Sequence, residues 1–280
     1  MEIFKTCFFM CILTVLFVVF GAMIGGKEGV IMAFLLALGI NFFSYFFSDK
    51  LVLKHYNAQS VNPSEPVYKM VARLAHKAQL PMPKVYIIPD SSPNAFATGR
   101  NPANAAVCAT QGLLSTLNPN EVEAVLAHEL AHVRHYDILT GSIAAVMAGA
   151  IATLASFAQF GAMGGGDNKN SKNGALLLIL AFIMPVAATM IQMAISRERE
   201  YKADKGAAIL TGHPEHLISA LQKISAAPNS VRGATEQSAH LFIYSPFRSF
   251  SSLGKLFSTH PSLDDRIAAL RQIQAELRSY

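Results

Sequence analysis

Long apolar stretches limit what this chain can become before any other feature does. Ile3–Ile24 is apolar apart from Lys5, Thr6 and Thr14, and Gly29–Phe47 is apolar apart from Asn41 and Ser44. Each approaches the roughly 20 residues that a helix needs to cross a bilayer. Only Gly25-Gly26-Lys27-Glu28 lies between them, so a tight hairpin is expected. A second pair of runs, Ile138–Gly164 and Gly174–Ile195, flanks the polar segment Asp167–Asn173. The third run is rich in Ala and Gly, which suits close helix–helix approach, and Pro185 should kink the fourth. Composition agrees: 52% of residues are hydrophobic and 15% charged, against about 25% charged in a soluble domain. The first run exceeds the apolar core of a secretion signal and another span follows at once, so an anchor is expected rather than a cleaved leader.

Lys and Arg beside the spans set the orientation. The hairpin loops hold Lys27, Lys169 and Lys172, whereas the other flanks hold Lys5, Lys50, Lys54, Arg134, Arg197, Arg199, Lys202 and Lys205. The bias places both termini and both large polar segments in the cytosol. The expected organisation is a transmembrane hairpin over 1–47, a first polar segment over 48–137, a second hairpin over 138–195 and a second polar segment over 196–280. The net charge of +5 then reflects topology. No Lys/Arg run interleaved with aromatics is present, so no nucleic-acid partner is expected. Cys7, Cys11 and Cys108 form no disulfide framework and fit a reducing compartment.

Within the polar segments, Val67, Met70, Val71, Leu74 and Ala78 mark an amphipathic helix. Lys84–Ile88 and Ala105–Ala109 read as strands separated by a turn-rich stretch from Pro89 to Asn104. Asn118, with Pro119 and Glu121 after it, is a helix N-cap signal. Helices are expected over Arg197–Leu210, Pro214–Ser225 and Leu263–Leu277, with a long loop over Ala227–Ser258. The fold class is therefore mainly α with a small β-sheet: a polytopic membrane protein with four transmembrane helices and a cytosolic domain built from both polar segments.

The capped helix contains His128-Glu129-Leu130-Ala131-His132. Histidines at i and i+4 share a helix face and can hold one ion, and the Glu between them can reach water at that ion as general base. An extended form of this motif needs Gly at 135 and His at 138. The chain has His135 and Ile138, so that class is excluded. A catalytic zinc still needs a third protein ligand. Glu200 and Asp204 lie at i and i+4 beyond the second apolar pair. Glu200 can bind the metal while Asp204 accepts a hydrogen bond from a ligand histidine. Glu198, which can instead pair with Lys202 on a solvated face, is the weaker alternative on spacing. Neither a closed structural zinc site, which wants four protein ligands, nor a transporter, which wants ionisable groups within its spans, fits as well.

An H-E-x-x-H helix running into a transmembrane pair, followed by Ser196-Arg197-x-x-Glu200-x-x-Ala203-Asp204, resembles the HtpX family of membrane-integrated zinc proteases. These are heat-shock-linked bacterial kin of the CaaX prenyl-protein endopeptidases. The likeness extends to Asn94-Ala95-Phe96-Ala97-Thr98-Gly99 and to Thr259-His260-Pro261 followed by Arg266. It implies a zincin-like domain in the bacterial inner membrane, with one Zn²⁺ on His128, His132 and Glu200 and Glu129 as catalytic base. It also implies a substrate-binding edge strand at Asn94 and Ala95. His260 is a candidate for oxyanion stabilisation and Arg266 for that role or for holding the ligand shell. The implied substrates are damaged membrane proteins or unfolded polypeptides met at the bilayer, with CaaX-type cleavage as the alternative. The remaining histidines, His55, His76, His135, His213, His216 and His240, read as surface or structural groups, and the Ala227–Ser258 loop as a site of self-cleavage.

Overall fold

A computed structural model describes residues 2–140, 197–227 and 261–278. Helix α1 runs over Glu2–His55 and is broken at Gly26, whose φ of 57° and ψ of −135° are open to glycine and costly for other residues. The break folds α1 into two arms. Asn41 on the second arm donates to the Met10 carbonyl (3.2 Å) and to Thr14 Oγ1 (2.9 Å) on the first. Gly21 and Gly29 face each other so closely that a Cβ on either would strike the other's carbonyl. The expected hairpin is thus present. Its outer surface shows Phe4, Ile31, Met32, Leu35, Leu36 and Phe42, the side chains a hydrocarbon solvent accepts. Among the described residues one helix, Gly25–His55, is long and apolar enough to cross a membrane, and the apolar part of the first arm, Met10–Met23, is shorter. The second expected pair of spans lies almost wholly outside the described residues.

After α1 come β1 (Gln59–Ser60), α2 (Pro66–Lys77), β2 (Lys84–Ile88), β3 (Ala95–Gly99) and β4 (Ala105–Thr110). These build one mixed sheet of order β1-β2-β4-β3, with β2 parallel to β4 and the other two pairs antiparallel. The turn-rich stretch before Asn104 therefore holds a strand, β3, whose Ala-Phe-Ala-Thr-Gly sequence carries little β-propensity. Its pairing with β4 supplies what propensity does not. Tyr56, just past α1, packs on Phe96 of β3 with ring centres 5.6 Å apart, in a small core with Ile88 and Cys108 joined by Val52 and Leu53. The apolar helix is thereby seated directly on the sheet.

Helices α3 (Gln111–Thr116) and α4 (Pro119–Arg134) follow, then α5 (Arg197–Thr211), α6 (Pro214–Ala226) and α7 (Leu263–Arg278). Helix α4 is the hub: it packs on β3 and β4, on α2, and on α5 and α6. Eleven of its sixteen residues are buried, Glu121, His128 and Glu129 among them, so α4 is enclosed on most sides and brings polar groups into the interior. Its N-terminus is a full capping box. The Asn118 side chain accepts from the Glu121 amide (3.0 Å), and Glu121 accepts from the Asn118 amide (2.9 Å). The same buried Glu121 carboxylate accepts from Ser219 (2.6 Å) and Lys223 (2.8 Å) of α6, fixing α6 against the start of α4. On α5 the buried pairs Arg199/Glu200, Ala203/Asp204 and Ala207/Ala208 recur every four residues. Gly206 lets that face come close, since a Cβ there would lie 2.8 Å from the Ala131 side chain.

Burial pushes the Glu121 carboxyl up, but bonds from Lys223, Ser219 and Asn118 outweigh it and hold the group below its ordinary value of 4.5. A depressed folded-state value contributes stability that is present above the unfolded pKa and lost as pH falls through the folded one. Glu121→Ala is therefore expected to cost about 1–3 kcal/mol near pH 7. The loss should shrink below pH 4. Thermal unfolding of wild type and variant across pH checks this, and equal midpoints at pH 7 would contradict it.

Candidate metal centre

The two motif histidines sit where α4 is most enclosed. His128 is 1% and Glu129 4% exposed, with His132 one turn on at the half-buried edge. The Nε2 atoms of His128 and His132 are 3.1 Å apart. Glu200 on α5 turns its carboxylate to both, with Oε2 3.7 Å from His128 Nε2 and Oε1 3.5 Å from His132 Nε2. Ligands at about 2.0–2.1 Å from a tetrahedral zinc are roughly 3.3 Å from one another, close to the separations of these three side chains. Glu198 is instead exposed and pairs with Lys202 at 2.7 Å, which settles the choice that spacing left open between it and Glu200.

Chemistry of the donors makes the same point. His128 Nδ1 lies 2.9 Å from Asp204 Oδ1, and His132 Nδ1 lies 3.0 Å from Asp137 Oδ2. A carboxylate at each Nδ1 favours a proton there, which leaves the two Nε2 atoms, facing each other and Glu200, as the atoms that would bind a metal. Four buried carboxylates, Glu129, Asp137, Glu200 and Asp204, face two buried guanidiniums, Arg199 and Arg266. Two imidazole nitrogens and one carboxylate are the donor set of a catalytic zinc. The residues fit zinc.

Arg266 reaches the centre from α7. Its Nε and Nη2 donate to Asp204 at 2.8 and 2.6 Å, and Nη1 lies 3.5 Å from Glu200 Oε2. The fork-to-fork pair places Arg266 behind the ligands, with its side chain 2% exposed. Burial pushes the Asp204 carboxyl up, but Arg266 outweighs it and holds Asp204 below the usual carboxylate range. Glu129 goes the other way: burial dominates and raises its carboxyl above the ordinary value despite the nearby histidines. For His132, burial disfavours the cation, yet the Asp137 bond and the surrounding carboxylates win and push the imidazole up to about 9.

Of the remaining expected residues, Asn94 and Ala95 are buried beside α4, at the start of the edge strand β3. The Asn94 main chain pairs inward, its amide donating to Thr110 Oγ1 (2.9 Å) and its carbonyl accepting from the Thr110 amide (2.9 Å). In an antiparallel ladder the inward-bonding residues alternate, so the main-chain groups of Ala95 and Ala97 point away from β4. His260 and the 228–258 part of the expected loop lie outside the described residues. His213 and His216 form an exposed group with Glu215 at the start of α6, in which His213 Nδ1 bonds Glu215 (3.0 Å) and Gln274 holds the other carboxylate oxygen (2.9 Å). The sequence gives no signal for Asp137, because five residues after His132 is not a same-face spacing on a helix.

Two buried imidazoles on one helix and a carboxylate from a second helix define a zinc metallopeptidase. The chain belongs to peptidase family M48, whose family model matches residues 62–274. It is 63% identical to a protease HtpX homolog of Campylobacter curvus over the full length of both chains. Identity is 60% to that of Campylobacter concisus (99% of both chains) and 50% to that of a Sulfurovum species (98% of this chain, all of the relative). Among solved structures it is similar in fold to S. mikatae Ste24p, with a TM-score of 0.54 and 21% identity over 86% of this chain; the match spans 57% of that longer protein. The apolar helix Gly25–His55 associates the protein with a membrane.

Zinc must displace the proton that Asp137 and the surrounding carboxylates hold on His132. Below about pH 9 the apparent zinc affinity is therefore expected to fall about tenfold per pH unit, with close to one proton released per zinc bound. Chelator competition from pH 6 to 9 measures this, and a flat profile would contradict it.

Proposed function

We propose that the protein is a multi-pass endopeptidase of the bacterial inner membrane that cuts damaged or misfolded membrane polypeptides at the cytosolic face. The observation that carries the chemistry is Glu129, a carboxyl raised by burial next to the two histidine ligands. His128, His132 and Glu200 would hold the zinc. When bound, the metal supplies Lewis acidity that polarises the scissile carbonyl and makes water acidic near neutral pH. Glu129 accepts the proton of the attacking water. Its raised pKa lets it keep that proton and deliver it to the leaving amine. Asp204, locked by Arg266, keeps His128 in the Nδ1–H tautomer.

A peptide main chain aligned along β3 would pair with the outward groups of Ala95 and Ala97, with Asn94 at the head of the strand. Main-chain pairing suits an enzyme that accepts many sequences. The membrane setting rests on α1, whose end packs through Tyr56 on Phe96 of β3, and on the Lys/Arg bias that puts the catalytic segments inside. That join keeps β3, and the metal helix packed on it, near the bilayer surface, where exposed cytosolic segments of damaged membrane proteins arrive. The second apolar pair completes four spans.

Glu129→Gln should bind zinc as wild type does and lose about 10²–10⁴-fold in cleavage of an unfolded model protein. Asp204→Ala should lose about 10–100-fold in zinc affinity or activity. Zinc-loaded, detergent-purified proteins compared side by side test both. Wild-type cleavage by Glu129→Gln would remove the base assignment, and preferential cleavage of a prenylated CaaX peptide would favour the prenyl-protein endopeptidase reading.

A further inference from the structure

Asp204 has a counterpart on the other ligand. Asp137 Oδ2 stands 3.0 Å from His132 Nδ1, much as Asp204 Oδ1 stands 2.9 Å from His128 Nδ1. Behind each aspartate lies a buried arginine: Arg266 at 2.6 Å from Asp204, and Arg199 Nη1 at 3.8 Å from Asp137 Oδ1. The first relay joins α4, α5 and α7. The second joins α4, the segment after it, and α5.

The second relay depends on an unusual turn. Five residues on a continuous helix advance roughly 500°, which would put Asp137 about 140° away from the His132 face. Helix α4 instead stops at Arg134, Tyr136 takes φ 63°, and a new helical turn begins at 137. A bulky side chain in the left-handed region costs about 1–2 kcal/mol, and Tyr136 is 42% exposed, so packing of its own ring does not explain the conformation. The turn returns Asp137, 7% exposed, to the underside of His132.

We propose that Asp137 is the positioning residue of His132, held by Arg199 and delivered by the left-handed turn at Tyr136. It fixes the Nδ1–H tautomer and the ring angle, so that Nε2 faces the metal. Arg199 precedes the third ligand Glu200, so one turn of α5 both supplies a ligand and steers another. The proposal rests on the zinc site of His128, His132 and Glu200.

The test measures zinc affinity of the full-length, detergent-solubilised protein by competition with a chromophoric chelator, together with the visible spectrum of the Co²⁺-loaded form. Asp137→Ala is expected to weaken zinc binding 10–100-fold and to alter the Co²⁺ bands. Arg199→Met should weaken binding less, and Arg199→Lys should recover most of that loss. A merely structural Asp137 would leave the Co²⁺ bands unchanged. Zinc affinity within threefold of wild type and an unchanged Co²⁺ spectrum in Asp137→Ala would overturn the proposal. Should that variant not fold, equal affinities for wild type, Arg199→Met and Arg199→Lys would overturn it as well. Failure of the wild type itself to bind zinc would instead remove the underlying site.

Discussion

Placing four carboxylates in the interior between α4 and α5 is the demand that organises this molecule. A buried carboxylate without a partner costs several kcal/mol, so each must be answered within reach. Asp204 is answered by Arg266, Asp137 by Arg199 and His132, and Glu200 by the converging imidazoles and Arg266. The Glu200 carboxylate, set against the two imidazoles, gives a divalent cation its place. The centre is therefore built into the packing of α4 on α5, where Gly206 lies against Ala131.

That demand also explains the chain order. The ligands come from helices separated by the second apolar pair of segments, and Arg266 comes from a third helix near the C-terminus. The elements that lock these helices together lie away from the site. Glu121 caps α4 and grips α6, and α6 and α7 pack on each other and against α5. On the other side α4 rests on β3 and β4, the strands to which the apolar helix α1 is joined through Tyr56 and Phe96. Metal helix, sheet and membrane helix form a continuous stack.

Features of local chemistry were legible in the sequence. The capping box at Asn118 and Glu121, the i,i+4 spacing of His128 and His132, the pairing of Glu198 with Lys202, and the hairpin at Gly25–Glu28 each depend on residues close in the chain. What could not be read depends on distant contacts. Strand β3 is too poor in β-branched residues to announce itself and exists through its register with β4. Spacing favoured Glu200 over Glu198 without deciding between them, because that choice is made by which face of α5 is buried. Asp137 was missed because five residues is the wrong helical spacing; only the left-handed Tyr136 makes it right.

The central claim is that two imidazoles of α4 and one carboxylate of α5 hold a single zinc. X-ray absorption at the zinc edge, on the purified full-length protein and on Glu200→Ala, tests it most directly. The account predicts one zinc per chain, a shell of nitrogen and oxygen at about 2.0–2.1 Å with scattering from two imidazoles, and a weakened, re-formed shell in the variant. Sulfur in the shell, or an unchanged shell and affinity in Glu200→Ala, would contradict it.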